Sequence, residues 1–275
     1  MDNGSLRPEA TLALRALADR LTERSGFWVR PVSLLHSHKV NPADLGGRPA
    51  RVVRPTLEEA LAEGCRDFVM LPLFLGPSRA LTEYLPRVIG EVTARTADAR
   101  VRIARPLAGD DPEHPDPELA RMVADQVDAA RAASGEPPER VALVDHGTPV
   151  RPVNRVREAV AAQLGARLGR PVTGCSMERR EGPEYAFNEP LLETLEGRGG
   201  VLIAAMFFLL PGRHAGENGD VAQICRGLEA SGAFSRILRT PLLAEHPDLV
   251  PLLEKRLREC PAEAETAAGC RGEAP

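Results

Sequence analysis

Lysine is nearly missing from this chain: Lys39 and Lys255 are the only two among 35 basic residues. The rest are arginines, the imprint of GC-rich coding, so an arginine taken alone says little about function. Excess positive charge is missing as well. A formal net charge of −4 and a pI near 5.9 provide no long-range attraction to nucleic acid or to an anionic membrane surface, and neither partner is expected. Cysteine is sparse: Cys65, Cys175, Cys225, Cys260 and Cys270 are odd in number, scattered, and without Cys-x-x-Cys spacing. That argues against a disulfide framework or a structural zinc site and fits a reducing cytoplasm. The most apolar run, VLIAAMFFLL at 201–210, stops at Pro211 after about half the length a membrane span needs, and no signal-peptide pattern precedes the first helix. A soluble protein is expected. No GxxxxGK[ST] loop, GxGxxG turn after a strand or GxSxG elbow is present, so nucleotide-driven chemistry and serine hydrolysis lack support.

What is present is a sequence that reads twice. Residues 2–21, DNGSLRPEATLALRALADRL, line up with 145–164, DHGTPVRPVNRVREAVAAQL, with one residue inserted after the Gly-Ser/Gly-Thr pair. Residues 71–89 line up with 205–224 through a shared Phe-Leu-x-Pro core. Asn3 then faces His146, and Ala80 faces His214. Imidazoles at both of these positions in one copy and at neither in the other imply one working site and one scaffold copy.

Each copy alternates short apolar runs with helical periodicities, the pattern of right-handed βαβ units around a parallel sheet. In the second copy, strands are predicted at 140–146, 171–177, 201–210 and 237–243. Helices are predicted from Val153 through Leu164, at 188–197, at 220–230, and after His246. The first copy predicts strands at VSLLHS, FVMLPLFL and VRIARPL, with EHPDPELARMVADQVDAARAA matching the final EHPDLVPLLEKRL. The fold expected is α/β, two tandem domains at 1–134 and 139–260, each a parallel sheet flanked by helices. SGEPPE at 134–139 is the linker, and 261–275 a disordered tail. Only Met1 precedes Asp2, where the second copy has a whole strand, so the first sheet is short of its leading strand or the start lies upstream.

In open α/β sheets, ligands bind beyond the carboxyl ends of the strands. His146 ends the first strand of its copy and His214 lies four residues past the third. Imidazoles on neighbouring loops there can ligate a divalent metal or exchange protons near neutrality. Glu178, ending the second strand, can complete the metal shell. Gly147 suits a positive φ at the strand-to-helix corner, and Thr148 or Asp145 suits a helix cap. Gly212, Gly216 and Gly219 let the loop around His214 approach a large flat ligand. His36 and His38, alternating on one strand face, are a further metal-binding candidate, though edge solvation explains them as well. His114 and His246 are helix-entry residues.

The second copy resembles the sirohydrochlorin chelatases of the CbiX/SirB family, class II tetrapyrrole chelatases. The matching residues are Val144-Asp145-His146-Gly147-Thr148 and MFFLLPGRHAGENGD at 206–220, with FNEP at 187–190 similar to the family's second-helix entry. The family includes two-copy forms. The resemblance implies insertion of Co²⁺ or Fe²⁺ into sirohydrochlorin by His146 and His214, without ATP and with no cofactor beyond the metal substrate, in cobalamin or siroheme biosynthesis. Insertion needs a group that holds the desolvated metal and a base that takes the two pyrrole protons, and imidazole does either. Gly147, Thr148, Gly212 and Arg213 are the expected substrate-binding residues, with Arg151 and Arg179 as further carboxylate clamps. A monomer or homodimer is expected. A non-catalytic tetrapyrrole or metal carrier on the same scaffold is the alternative.

Overall fold

The computed structural model describes residues 1–260; the tail expected at 261–275 lies outside the described residues. The second half contains β3 (Arg140–Asp145), α5 (Arg151–Leu168), β4 (Val172–Ser176), β5 (Val201–Met206), α6 (Asp220–Ala230), β6 (Arg236–Arg239) and α7 (Leu249–Glu259). Its four strands are parallel in the order β4-β3-β5-β6. Val141 to Val144 and all of β5 are buried, as continuous apolar strands covered on both faces must be.

The first half contains α1 (Pro8–Ser25), α2 (Val53–Ala62), β1 (Asp67–Met70), α3 (Leu85–Thr93), β2 (Arg100–Ile103) and α4 (Pro117–Ser134), with β1 and β2 paired in parallel. The first residues pair as the end of β3 does. Leu73 N donates to Met1 O at 2.7 Å and Leu34 N to Asp2 O at 2.9 Å, matching Phe207 N to Val144 O at 2.8 Å and Met177 N to Asp145 O at 2.7 Å. Met1 and Asp2 thus occupy the place of the last two residues of β3. The run expected as a strand at VSLLHS makes only isolated bridges, Ser33 pairing with Asp2 and Val52. The strand expected through FVMLPLFL stops at Met70, two residues before Pro72, which has no N–H to donate.

Three further expectations need correction. The repeat needs no insertion, because α1 and α5 begin and end 143 residues apart, the same spacing as Asp2 and Asp145. Residues 188–197 form no α-helix: the chain makes 3₁₀ turns at Pro183–Asn188 and Leu192–Thr194, and Pro190 between them holds its predecessor extended. His36 and His38 share no strand face. They are exposed on a turn where His36 has φ 65° and Ser37–Lys39 is 3₁₀, tied down by Ser37 Oγ to Ser33 Oγ at 2.8 Å and Ser5 N to Ser37 Oγ at 3.2 Å. Cys65 is disulfide-bonded, which the scattered cysteine spacing does not predict; Cys175, Cys225 and Cys260 are free. Among the described residues, no helix is long and apolar enough to cross a membrane.

The linker at 134–139 carries no regular structure beyond the end of α4, yet it does not separate two cores. Helix α4 closes the first half in sequence but packs on α5, β5 and β6, and α7 packs on α1. Leu119, Val123 and Val127 of α4 share a cluster with Val141, Leu143, Val160, Leu164 and Ile203. Polar contacts repeat the exchange in both directions. Gln126 Nε2 donates to Leu242 O at 3.2 Å, while Arg256 donates from Nε to Pro106 O at 3.0 Å and from Nη2 to Leu107 O at 2.8 Å. Each half lends its last helix to the other.

Candidate active site

The carboxyl end of β3 is built on a buried ionic network. Arg157, fully buried on α5, donates to Asp145 Oδ1 at 3.3 Å, to the Ser176 hydroxyl, and to Glu158. Asp145 Oδ1 also accepts from Ser176 Oγ at 2.7 Å and from Gly147 N at 3.0 Å. A buried arginine requires such partners, and they lock the corner after β3. Gly147 turns that corner at φ 93°, where a Cβ would lie 1.9 Å from Glu178 O, so only glycine fits. Thr148 is part of the corner itself: its N–H donates to Asn188 Oδ1 and its carbonyl accepts from Asn188 Nδ2, both at 2.9 Å, and its Oγ1 accepts from Val150 N. Gly147 and Thr148 thereby fix the corner that carries His146.

His146 Nδ1 lies 3.0 Å from Gly147 O. A carbonyl only accepts, so Nδ1 carries the proton and Nε2 is left with its lone pair. That Nε2 stands 3.4 Å from Glu178 Oε1, two acceptors facing each other unless a proton or a metal cation lies between. His214 reaches the same place from the loop after β5. Its Nδ1 is 2.6 Å from Asp220 Oδ2 on the first turn of α6, the carboxylate–histidine arrangement that fixes the orientation of a ring. The two rings lie 4.4 Å apart, centroid to centroid, at 66°. The loop closes on itself through Gly216 N to Gly212 O at 3.0 Å, and a Cβ on Gly219 would strike His214 O at 2.5 Å.

Among the described residues, no group of three or more His, Cys, Asp or Glu side chains is gathered to hold a metal. The shell expected of His146, His214 and Glu178 is therefore not preformed: the imidazoles are adjacent, but Glu178 is exposed and meets only His146. Of the expected clamps, Arg213 is 77% exposed and 3.7 Å from Asp220, and Arg151 lies over the Phe187 ring at 4.7 Å. Arg179 is committed to Glu189 at 2.9 Å and to the Arg180 and Gly182 carbonyls. His246 is structural, 8% exposed with Nδ1 accepting from Asp248 N, and His114 is an exposed partner of Asp111. Sequence reasoning assigned no role to Arg157, Asn188 or Asp220. Arg157 carried a signal, since it falls four residues after Val153 and three before Val160, on an apolar helical face.

In the first half, Asn3 and Ala80 occupy the histidine positions, and Gly4 repeats the corner at φ 94°, where a Cβ would lie 1.7 Å from Leu35 O. Leu14 stands where Arg157 does, and the buried Asp2 Oδ1 has no hydrogen-bond partner. The scaffold is kept in both halves; the imidazoles and the network beneath them stand in one.

The fold and site define a two-copy α/β protein with paired imidazoles at the carboxyl edge of one parallel sheet. The CbiX family model matches residues 1–130. SirB from Bacillus subtilis with Fe³⁺ superposes with a TM-score of 0.66 at 19% identity, and the cobalt complex of the sirohydrochlorin chelatase SirB from Bacillus subtilis subspecies spizizenii with 0.67 at 16%; each comparison covers 94% of this chain and 92% of the other. CbiX, described as the terminal enzyme of siroheme biosynthesis in denitrifying bacteria, gives 0.57 at 18%, covering 92% of both chains. No curated protein sequence matches the chain. The chain is CbiX/SirB-like in fold. The family match falls on the half that lacks the histidines, so it rests on the repeated scaffold and not on the imidazole pair.

Proposed function

We propose that this protein is a sirohydrochlorin chelatase that inserts Co²⁺ or Fe²⁺ without ATP, in cobalamin or siroheme biosynthesis, as a soluble cytoplasmic enzyme with no cofactor beyond its metal substrate. The observation that carries the reading is the commitment of both Nδ1 atoms, one to a carbonyl and one to a carboxylate, on two rings whose centroids lie 4.4 Å apart, so that neither Nε2 takes part in those contacts. His146 Nε2, with Glu178 beside it, receives the metal ion; His214 Nε2 takes the two pyrrole protons in turn, passing each to solvent, as the macrocycle closes on the metal. Two imidazoles and a single exposed carboxylate hold a divalent ion loosely, which suits an ion that must be handed on. The solved relatives with Fe³⁺ and with cobalt support both metals as candidates.

The test is anaerobic absorbance of purified protein with sirohydrochlorin and each metal in turn. His146→Ala and His214→Ala are each expected to fold normally and to lose about 100-fold or more in insertion rate, the scale of a lost acid–base group. Wild-type rates in either variant would remove that residue from the mechanism. Macrocycle binding without insertion of either metal would instead give the carrier reading.

A further inference from the structure

The scaffold half is not filled in where its histidines are missing. A cavity of about 410 Å³ opens at that position, lined by Asn3, Leu34, Leu35, Arg79, Ala80, Glu83, Tyr84 and Arg87, a size within the range of small-molecule sites. Its chemistry differs from that of the imidazole site. Ala80 leaves the space that His214 fills in the other half, and Leu34 and Leu35 give an apolar floor. Arg79 is shared with Glu83 at 3.8 Å. Arg87 has no carboxylate partner among the described residues and lies over the Tyr84 ring at 5.3 Å. One uncompensated guanidinium on an aromatic ring, a second held only by an exposed glutamate, and an apolar floor suit a carboxylate carried on a flat or apolar body.

The loop after Asn3 and the loop before His214 approach each other. A Cβ on Gly212, two residues before His214, would lie 3.8 Å from Ser5 Oγ, two residues after Asn3. The two strand-end loops therefore meet along one rim.

We infer that this first-half cavity is a metal-independent carboxylate-binding subsite, with Arg79 and Arg87 as its anion-binding groups and Tyr84 as its wall. Assigning its ligand as the rim carboxylates of the tetrapyrrole rests on the chelatase reading; the subsite itself does not. The experiment uses the full chain without metal and two probes: uroporphyrin, a fluorescent macrocycle with eight carboxylates, followed by fluorescence, and benzene-1,3,5-tricarboxylate, followed by calorimetry.

The Arg79→Ala/Arg87→Ala variant is expected to raise the Kd for uroporphyrin at least about tenfold and to flatten its salt dependence, with Arg79→Lys/Arg87→Lys recovering part of the loss. Loss of tricarboxylate binding with unchanged uroporphyrin binding would assign the cavity to a separate small acid and still support the subsite. Wild-type affinity for both probes in the double-alanine variant, with a wild-type melting curve, overturns it. Should that variant melt early, Arg87→Gln alone carries the same comparison. Failure of metal insertion with arginine-dependent uroporphyrin binding would overturn the chelatase reading and leave the subsite standing.

Discussion

At the residue scale, the difference between the halves is a matter of what surrounds each corner. His146 and Asn3 follow the same aspartate and precede the same positive-φ glycine, so the backbone presents either side chain at the same point. What distinguishes His214 is Asp220, which holds Nδ1 and so fixes the ring beside His146. Removing such an outer partner weakens metal affinity or activity by about 10–100-fold. Asp220→Ala is therefore expected to reduce insertion by that factor while leaving the melting temperature near wild type, as measured by rate at saturating macrocycle and by circular dichroism. An unchanged rate would reduce the Asp220 contact to a helix-start interaction.

At the element scale, α5 supports the site from below through Arg157, whereas α1 offers Leu14 at the matching position. Replacing Arg157 by the residue of the other half leaves Asp145 buried and uncompensated, a change of about 3–5 kcal/mol for a broken buried pair. Arg157→Leu is expected to destabilise by that order in urea unfolding and to lower insertion by displacing the His146 corner. Adding Asp145→Asn should recover part of the stability, because the buried charge is then gone. If Arg157→Leu were as stable as wild type, the network would be dispensable and the corner would owe its shape to Gly147 and Asn188.

At the scale of the whole molecule, the exchange of α4 and α7 joins the halves into one core. Unfolding followed by far-UV circular dichroism and by fluorescence of Trp28, the only tryptophan, in the first half, is expected to give coincident transitions. Separate midpoints would mean that the halves fold independently despite the exchange. The junction also sets an acid limit. Burial of Asp116 opposes its ionisation, but hydrogen bonds from Lys255, the Glu118 N–H and Arg256 outweigh that and hold its pKa below the usual range. Its stabilisation is then fully present above the unfolded value of about 3.9 and is lost as pH falls through the lower folded value. Asp116→Asn is expected to be less stable than wild type at pH 7 and to lose less on going from about pH 5 to pH 2, as read from urea midpoints across that interval.

The sequence by itself determined the repeat, the α/β class and the pairing of His146 with His214, because a duplicated pattern and glycine-bounded corners are local signals that survive without contacts. It also placed α1, α4, α5, α6 and α7, whose apolar spacing reports the buried face directly. It did not determine that 188–197 would stay out of a helix, or that the run before His36 would make single bridges. Short apolar runs fit a strand, a bridge or a buried turn equally, and only their neighbours choose. The tertiary structure alone decided which half each closing helix covers, that Arg157 lies under His146, and that the space left by Ala80 is an arginine-lined cavity. Each of these joins residues far apart in the chain, and their energies arise only when burial removes water from both sides.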